Sequence, residues 1–484
     1  MPPLARPAAG ASIELPPRRA TLAAEADVLV VGGGPSGIAA AVGAAGTGAR
    51  VVLAERHGFL GGNATAALVM PLTSFHAHRD QRPALDTTAL FPPDQGPGDP
   101  VVAGVFRAFV SRLVQAGGAL EPGEATGFTV PFDPEIFKLV ALDLLDEAGV
   151  EFLLHSFASG VVGDSRLAGV GFEGKSGPIV IRAQAMVDCT GDGDVAALAG
   201  APFAVGRDQD GLVQPMTLMF RMVEFERAAF AAYAKAHPGE WRGVLGLWDL
   251  VRQATRAGEL DLPREDILFF GSAHPREVSV NSTRVTRALG TSVWDLTRAE
   301  WESRRQFRQI MRFLQRYVPG FEQAYAAQTG SAIGVRESRR ILGDYVLTAA
   351  DLLTARKFED VVARGSYPID IHNPAGKGTI LQRLPPGEAY DIPLRSLLPQ
   401  NVENLLVAGR CISGTHEALS SYRVTPIAMA TGHAAGVCAG LSALARKPPR
   451  EVPVLDVQRE LARQGADLGR LNAQLRERRG AVEP

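Results

Sequence analysis

Asp27-Val-Leu-Val-Val31 runs straight into Gly32-Gly33-Gly34-Pro35-Ser36-Gly37, and the fold follows from how these residues are read. The first five form a short β-branched apolar run, suited to a buried parallel strand. Ile38-Ala-Ala-Ala-Val42 then offers the small side chains of a helix pressed against a sheet. Arg50-Val-Val-Leu-Ala54 reads as a second strand that ends in Glu55, 21 residues after Gly34. The spacing Gly32-x-Gly34-x-x-Gly37 has a physical reason. The first glycine permits a tight turn, the second lets backbone approach a pyrophosphate, and the third allows close helix–strand contact. The diphosphate then meets unpaired N–H groups at the helix N-terminus, and the acid closing the second strand reaches a ribose hydroxyl. These residues alone do not choose between NAD and FAD.

Later residues choose FAD. Arg56-His-Gly-Phe-Leu-Gly61-Gly62-Asn63-Ala64-Thr65 sets a second glycine pair directly after the ribose acid, a turn for which an NAD domain has no need. Asn404-Leu-Leu-Val-Ala-Gly409-Arg410-Cys411 is again strand followed by turn, and Tyr422-Arg423-Val424-Thr425-Pro426 opens a small-residue helix. Proline near a first helical turn is a start signal, and that N-terminus would stabilise negative charge on a reduced flavin.

These motifs, with Val187-Asp-Cys-Thr190-Gly191-Asp192-Gly-Asp194 and Ile333-Gly-Val-Arg336-Glu337-Ser-Arg-Arg340, resemble the bacterial FAD-dependent oxidoreductases of glutathione-reductase-like fold. The fumarate reductase flavoproteins are distant relatives of that family. The resemblance implies an α/β fold: a Rossmann-like FAD-binding domain with an inserted α+β substrate domain. It implies FAD contacts from Gly32, Gly34, Pro35, Ser36 and Gly37 at the pyrophosphate, and from Glu55 and Arg56 at the adenosine end. Gly61, Gly62, Asn63 and Thr65 would continue along the diphosphate toward the flavin. Thr190, Gly191 and Asp192 match the second strand–turn, and Gly409, Arg410, Arg423, Val424 and Pro426 would meet the ribityl chain and ring. Family members with iron–sulfur clusters carry cysteine runs that this chain lacks.

Composition agrees with a soluble, cytoplasmic enzyme acting on a small molecule. The 484 residues carry 50 basic and 52 acidic side chains, a net charge of -2, with none of the basic surplus of a nucleic-acid binder or polybasic membrane docker. The three cysteines, none in a CxxC, exclude a disulfide scaffold, a four-cysteine metal site and a closely spaced redox dithiol, and fit a reducing compartment. No metal site is expected. Val28 to Ala49 is uncharged and long enough to span a bilayer, but seven glycines and Pro35 break it. A strand–turn–helix explains it better, so neither a signal peptide nor a membrane span is expected.

The expected organisation is an arm, or one edge strand, at 1–26, a discontinuous FAD-binding domain at 27–205 and 392–450, a substrate domain at 206–391 and a helical tail at 451–484. Asp133 and Pro134 predict a helix start, and Val150 to Met186 a small antiparallel ribbon. Thr297-x-x-Glu300 reads as a capping box opening a long helix, and Val454–Arg478 as an amphipathic one.

For chemistry, Arg336 can anchor a substrate carboxylate in a bidentate fork, with Glu337 beside it as a further catalytic candidate or as the ion-pair partner of Arg336 or Arg339 at the domain junction. His372 closes an alternating strand, and His416 lies in the expected loop between the last flavin strand and its helix, close to Arg423. Either histidine can take a substrate proton while hydride leaves to the flavin. The expected activity is hydride transfer between a small organic substrate and FAD, in either direction. A flavin monooxygenase is the nearest rival, lowered because no second GxGxxG for NAD(P)H is visible. An RNA-modifying flavoprotein shares the opening motif, but the balanced charge argues against it. A non-catalytic flavin scaffold is the third reading. The oligomeric state is not legible.

Overall fold

The computed structural model of the chain describes residue 4 and residues 12–78, 88, 90–92 and 98–472. β1 (Thr21–Val31), α1 (Pro35–Ala45) and β2 (Val51–Ala54) follow one another as the glycine motif requires. α2 (Val105–Gln115) and α3 (Pro134–Glu147) come next. Asp133 caps α3, its Oδ1 accepting the Glu135 N–H at 2.7 Å. Then β3 (Glu151–Leu153), β4 (Phe157–Gly163), β5 (Leu167–Gly174) and β6 (Gly177–Asp188) complete the first half of the sheet. The expected antiparallel ribbon is present: β5 pairs with β4 on one side and with the N-terminal half of β6 on the other.

After α4 (Asp194–Leu198) and β7 (Phe203–Val205), the chain leaves to build a second body. β8 (Phe220–Val223), α5 (Arg227–Ala236), β9 (Leu245–Gly246), α6 (Trp248–Arg256), β10 (Ile267–Gly271), β11 (Glu277–Val280), α7 (Val293–Tyr317) and β12 (Tyr325–Thr329) follow. Five of these strands form an antiparallel sheet, ordered β12-β8-β11-β10-β9. Its core is aromatic: Phe230 meets Trp241 edge-on with centroids 4.9 Å apart, and Phe225, Phe269 and Phe321 close the cluster.

β13 (Arg339–Ile341), α8 (Ala349–Leu353), β14 (Val361–Gly365), β15 (Ile369–His372), β16 (Thr379–Gln382) and β17 (Tyr390–Pro393) lead back. β18 (Leu405–Val407), α9 (His416–Tyr422), α10 (Thr425–Ala445) and α11 (Val454–Arg463) end the described fold. β3, β2, β1 and β6 lie in that order, all parallel, and β18 joins β6 in parallel beyond the point where β5 stops. The protein is therefore mixed α/β, with a parallel sheet at its centre.

α10 is long and apolar enough to cross a membrane by composition, but it is buried inside the protein against α1. Gly432, Gly436 and Gly440 recur every fourth residue on one face. A Cβ on Gly432 would stand 2.0 Å from the Ser36 carbonyl oxygen, and one on Gly436 2.0 Å from that of Ala40. Glycine here brings two helix backbones into contact.

Several expectations are corrected. Residues 21–26, expected in the arm, extend β1, with Thr21–Ala26 pairing Ile179–Ala183. Apolar residues from Ile341 to Ile392 pack into the first core, so the second body ends well before residue 391. The alternating strand expected to end at His372 is present as β15, paired antiparallel with β16. α7 starts at Ser292, whose hydroxyl accepts the Asp295 N–H, because this cap lies upstream of Thr297. Thr297 instead bonds the Val293 carbonyl from inside the helix. α11 stops at Arg463, before Gly465 with its φ of +80°. Residues 473–478 of the expected helix lie outside the described residues.

Candidate functional site

Strand register explains how distant motifs meet. Val31 stands opposite Ala54 and Asp188, Ala54 opposite Leu153, and Asp188 opposite Val407. The C-terminal ends of β1, β2, β3, β6 and β18 are thus level, and the five loops that follow emerge along one edge of the sheet. Open parallel sheets bind ligands at this edge. The loops line a common cleft along that edge.

From the first loop, Gly32, Gly34, Pro35 and Ser36 line the cleft; from the second, Glu55, Arg56, Gly62 and Asn63. Thr190 and Gly191 come from the loop after β6, and Gly409, Arg410 and Arg423 from the segment after β18. Gly34 and Gly62 face each other: a Cβ on Gly62 would stand 2.9 Å from the Gly34 Cα. Gly32 has a φ of +101°, and a Cβ on it would meet the Cys189 carbonyl at 2.5 Å. Glu55 is buried and accepts the Gly33 N–H at 2.6 Å and the His57 N–H at 2.7 Å, so it ties the two glycine turns together.

Other residues expected at the cofactor lie behind the cleft wall. Gly37 is packed so that a Cβ would reach 1.7 Å from the Gly32 oxygen. Gly61 donates its N–H to the Gly33 carbonyl at 2.8 Å, and the Thr65 hydroxyl donates to the Leu60 carbonyl at 2.7 Å beneath it. Asp192 accepts from Arg410 at 2.9 Å and from Ser338 at 2.7 Å, holding the Arg410 guanidinium. Val424 caps α10 and Pro426 is buried in its first turn, whereas Thr425 between them does line the cleft. These residues shape the cradle from outside it.

Sequence reading missed Ser156, Phe157 and Ala158, which close the cleft beyond Glu55, and Asp194, Ile333, Val335 and Ala428. Only the level ends of β3 and β2 bring the first three near, and no local motif marks them. Asp194 pairs with Arg339 at 2.9 Å, yet burial and neighbouring Asp192 hold its carboxyl above the usual range.

A buried polar cluster stands at the Arg423 end. Glu337 is fully buried and accepts from Arg340 at 2.6 Å, from the Gln214 N–H at 2.9 Å and from His416 Nδ1 at 2.9 Å. His416 was expected in a loop. It is instead the first residue of α9, because Thr415 caps a short helix there, accepting the Ala418 N–H at 3.2 Å. His416 Nε2, Gln214 Nε2 and Arg423 Nε are buried with no hydrogen-bond partner among the described residues. Arg423 donates to the Asp370 carbonyl at 3.2 Å, and Arg336 donates to the Pro215 carbonyl at 2.6 Å and to Thr217 Oγ1. His372 lies between Arg284, 3.4 Å from its Nδ1, and Asp370, 3.5 Å from its Nε2.

Electrostatics in this cluster work against further positive charge. Burial and the Arg336 guanidinium push His372 down to about 4, so it is neutral at pH 7. Burial would raise Asp370, but His372 and Arg423 outweigh it and keep the carboxylate ionised. Burial and the Arg423 charge hold Arg336 below the usual arginine range.

The donor set fits FAD. First-turn N–H groups of α1 have no intrahelical partner, the two glycine turns leave backbone bare, and an unpartnered Arg423 Nε waits at the far end. A long dinucleotide with a central diphosphate needs these features in this order.

The search of the curated proteins returns no match. Among solved structures, a geranylgeranyl bacteriochlorophyll reductase-like protein from Thermoplasma acidophilum is 13% identical, covering 91% of this chain and 82% of its own, with a TM-score of 0.41. An anhydrotetracycline hydroxylase from Streptomyces rimosus is 13% identical over 91% of this chain and 66% of its own, with a TM-score of 0.43. A myxobacterial FAD-dependent halogenase of chondrochloren is 14% identical over 93% and 82%, with a TM-score of 0.41. None of these likenesses is close enough to carry chemistry across. The model of the FAD dependent oxidoreductase family, by contrast, matches residues 27–461. The chain belongs to that family, and is an FAD-dependent oxidoreductase enzyme with FAD as its cofactor.

Proposed function

We propose that the protein transfers a hydride between a small organic substrate and FAD, on a glutathione-reductase-like flavin domain whose ring end lies beside Arg423 and the α10 N-terminus. One observation carries this reading: the glycine-cradled cleft ends at a buried polar cluster with three unpartnered polar atoms, on His416, Gln214 and Arg423. When bound, FAD supplies the hydride acceptor or donor. The chain supplies position, charge and proton handling.

In this reading Glu337 orients His416 through Nδ1, leaving Nε2 with a free lone pair, as a general base requires. His372, held neutral, positions the substrate by hydrogen bonding and is a poorer proton acceptor at pH 7. Arg336 would hold the substrate, and Arg423, which lines the cleft, would hold the substrate or the flavin end of the cofactor. All three cysteines are free and buried, so a dithiol relay has no support.

The test is a visible spectrum of the purified protein, followed by anaerobic bleaching of its flavin with a panel of small organic donors. A colourless protein that FAD cannot reconstitute sinks the reading. With a bleaching donor in hand, His416→Gln should retain flavin and slow its reduction by roughly 10²–10⁴-fold. An unchanged rate removes His416 from the mechanism.

A further inference from the structure

The polar cluster holds more positive charge than its own acids neutralise. Arg336 interacts electrostatically with both Arg284 and Arg423, and all three arginines interact with Asp370. Asp370 is the carboxylate paired to Arg423, at 3.5 Å, while nearby Arg264 is satisfied by Asp266 at 2.5 Å. Arg284 is buried and donates only to neutral acceptors, the carbonyls of Gly376 at 3.0 Å and Gly378 at 3.2 Å, beside a neutral His372. Arg336 likewise donates to the Pro215 carbonyl and the Thr217 hydroxyl. Three guanidinium groups against one carboxylate leave two positive charges. Buried charge is held at this cost where a counter-charge arrives.

The cofactor is not that counter-charge in full. Of the three arginines, only Arg423 lines the dinucleotide cleft. The diphosphate belongs at the α1 N-terminus, among the glycine turns. Gln214 adds a second sign. Its side-chain oxygen accepts the His372 N–H at 3.3 Å, while its Nε2, a donor, is buried and unpartnered next to Pro215. The free atoms of Gln214 and Arg423 are both donors.

We propose that Arg284, Arg336, Arg423 and Gln214 form a subsite for a small carboxylate, so that the substrate of the hydride-transfer reading, on which this rests, is an organic acid. Guanidinium forks match the two oxygens of a carboxylate, and the Gln214 amide completes the set.

The test is calorimetric titration of the FAD-loaded protein with malonate, with uncharged malonamide and with inorganic phosphate. Malonate should bind saturably and shift the flavin absorbance, malonamide should not bind, and phosphate should bind more weakly. Arg336→Met and Arg284→Gln should each weaken malonate at least tenfold, and Arg308→Gln, on the exposed face of α7, by less than twofold. Should the arginine variants lose the fold by circular dichroism, Gln214→Glu decides. It keeps the shape, breaks no hydrogen bond at Nε2 and places a negative charge in the subsite, so malonate binding should vanish. Equal malonate binding in all variants, tighter binding of phosphate, or no binding at all overturns the proposal. A protein that takes no FAD yet binds malonate with this variant pattern keeps the subsite and overturns only the hydride-transfer reading.

Discussion

Replacing Gly432 by alanine tests the link between helix packing and the cofactor cradle. On an exposed helix this change stabilises, by roughly 1 kcal/mol, because glycine is the poorer helix former. Here the added Cβ would stand 2.0 Å from the Ser36 carbonyl oxygen, and real Cβ contacts begin near 3.0–3.4 Å. The two backbones must therefore separate by the difference, 1.0–1.4 Å. Neither partner is a flexible side-chain tip, so the strain falls on α1 itself. Overpacking of this kind costs about 1–3 kcal/mol. A backbone clash lies at the upper end, giving a net loss of about 2 kcal/mol after the propensity gain.

The displaced turn of α1 carries Ser36, which lines the cleft, and a Cβ on Gly409 already has only 2.7 Å to Ser36 Oγ. Moving first-turn N–H groups by about 1 Å takes a hydrogen bond of roughly 2.9 Å beyond its working range. Two such bonds at about 1 kcal/mol each amount to a roughly 30-fold weaker hold on FAD. Gly440→Ala is the control, because its Cβ first meets the movable Thr47 hydroxyl. Calorimetric melting and the flavin-to-protein absorbance ratio after gel filtration read both effects. A Gly432→Ala protein that melts at or above the parent with full FAD content refutes the reasoning.

Three further outcomes are expected. Burial pushes His433 from 6.5 down to about 4, so the native state resists a proton that the unfolded chain accepts. Its contribution to stability, about 3 kcal/mol for a shift of that size, is intact above pH 6.5 and lost as pH falls to about 4; His433→Gln should flatten the acid limb of stability against pH, and an unchanged limb counts against it. Glu337→Gln strands buried Arg340 and should cost about 3–5 kcal/mol in urea unfolding, whereas Asp360→Asn breaks the half-exposed pair with Arg395 at under about 1 kcal/mol. Equal losses would show that burial does not set the energetics. Burial pushes all three thiols up, Cys438 to about 12, so a disulfide reagent should modify none in the native protein and all three after denaturation; rapid native labelling would contradict that burial.

The cofactor was readable from residues because its cradle is built from backbone. Gly32, Gly34, Gly62 and Gly409 line the cleft as their motifs imply, and a bare backbone turn leaves a glycine in the sequence. Gly37, Gly61, Thr65 and Asp192 were equally visible yet stand behind the wall, since a motif marks a turn and not which side of it faces the ligand. His416 was misread because a seven-residue helix capped by Thr415 is too short to show a period. Ser156–Ala158 left no sign, since their place depends on β3 ending level with β2.

Local spacing is enough to dictate a strand–turn–helix around a dinucleotide, because φ, hydrogen-bond capacity and side-chain size act between near neighbours. The flavin domain and its cofactor were thus legible in the order of the residues. The excess of positive charge was not. It depends on Arg284, Arg336, Arg423, Gln214 and Asp370 arriving from separate segments, and on burial that strips them of water. Charge balance in a low-dielectric site is a property of the assembled neighbourhood, and only the tertiary structure brings that neighbourhood together.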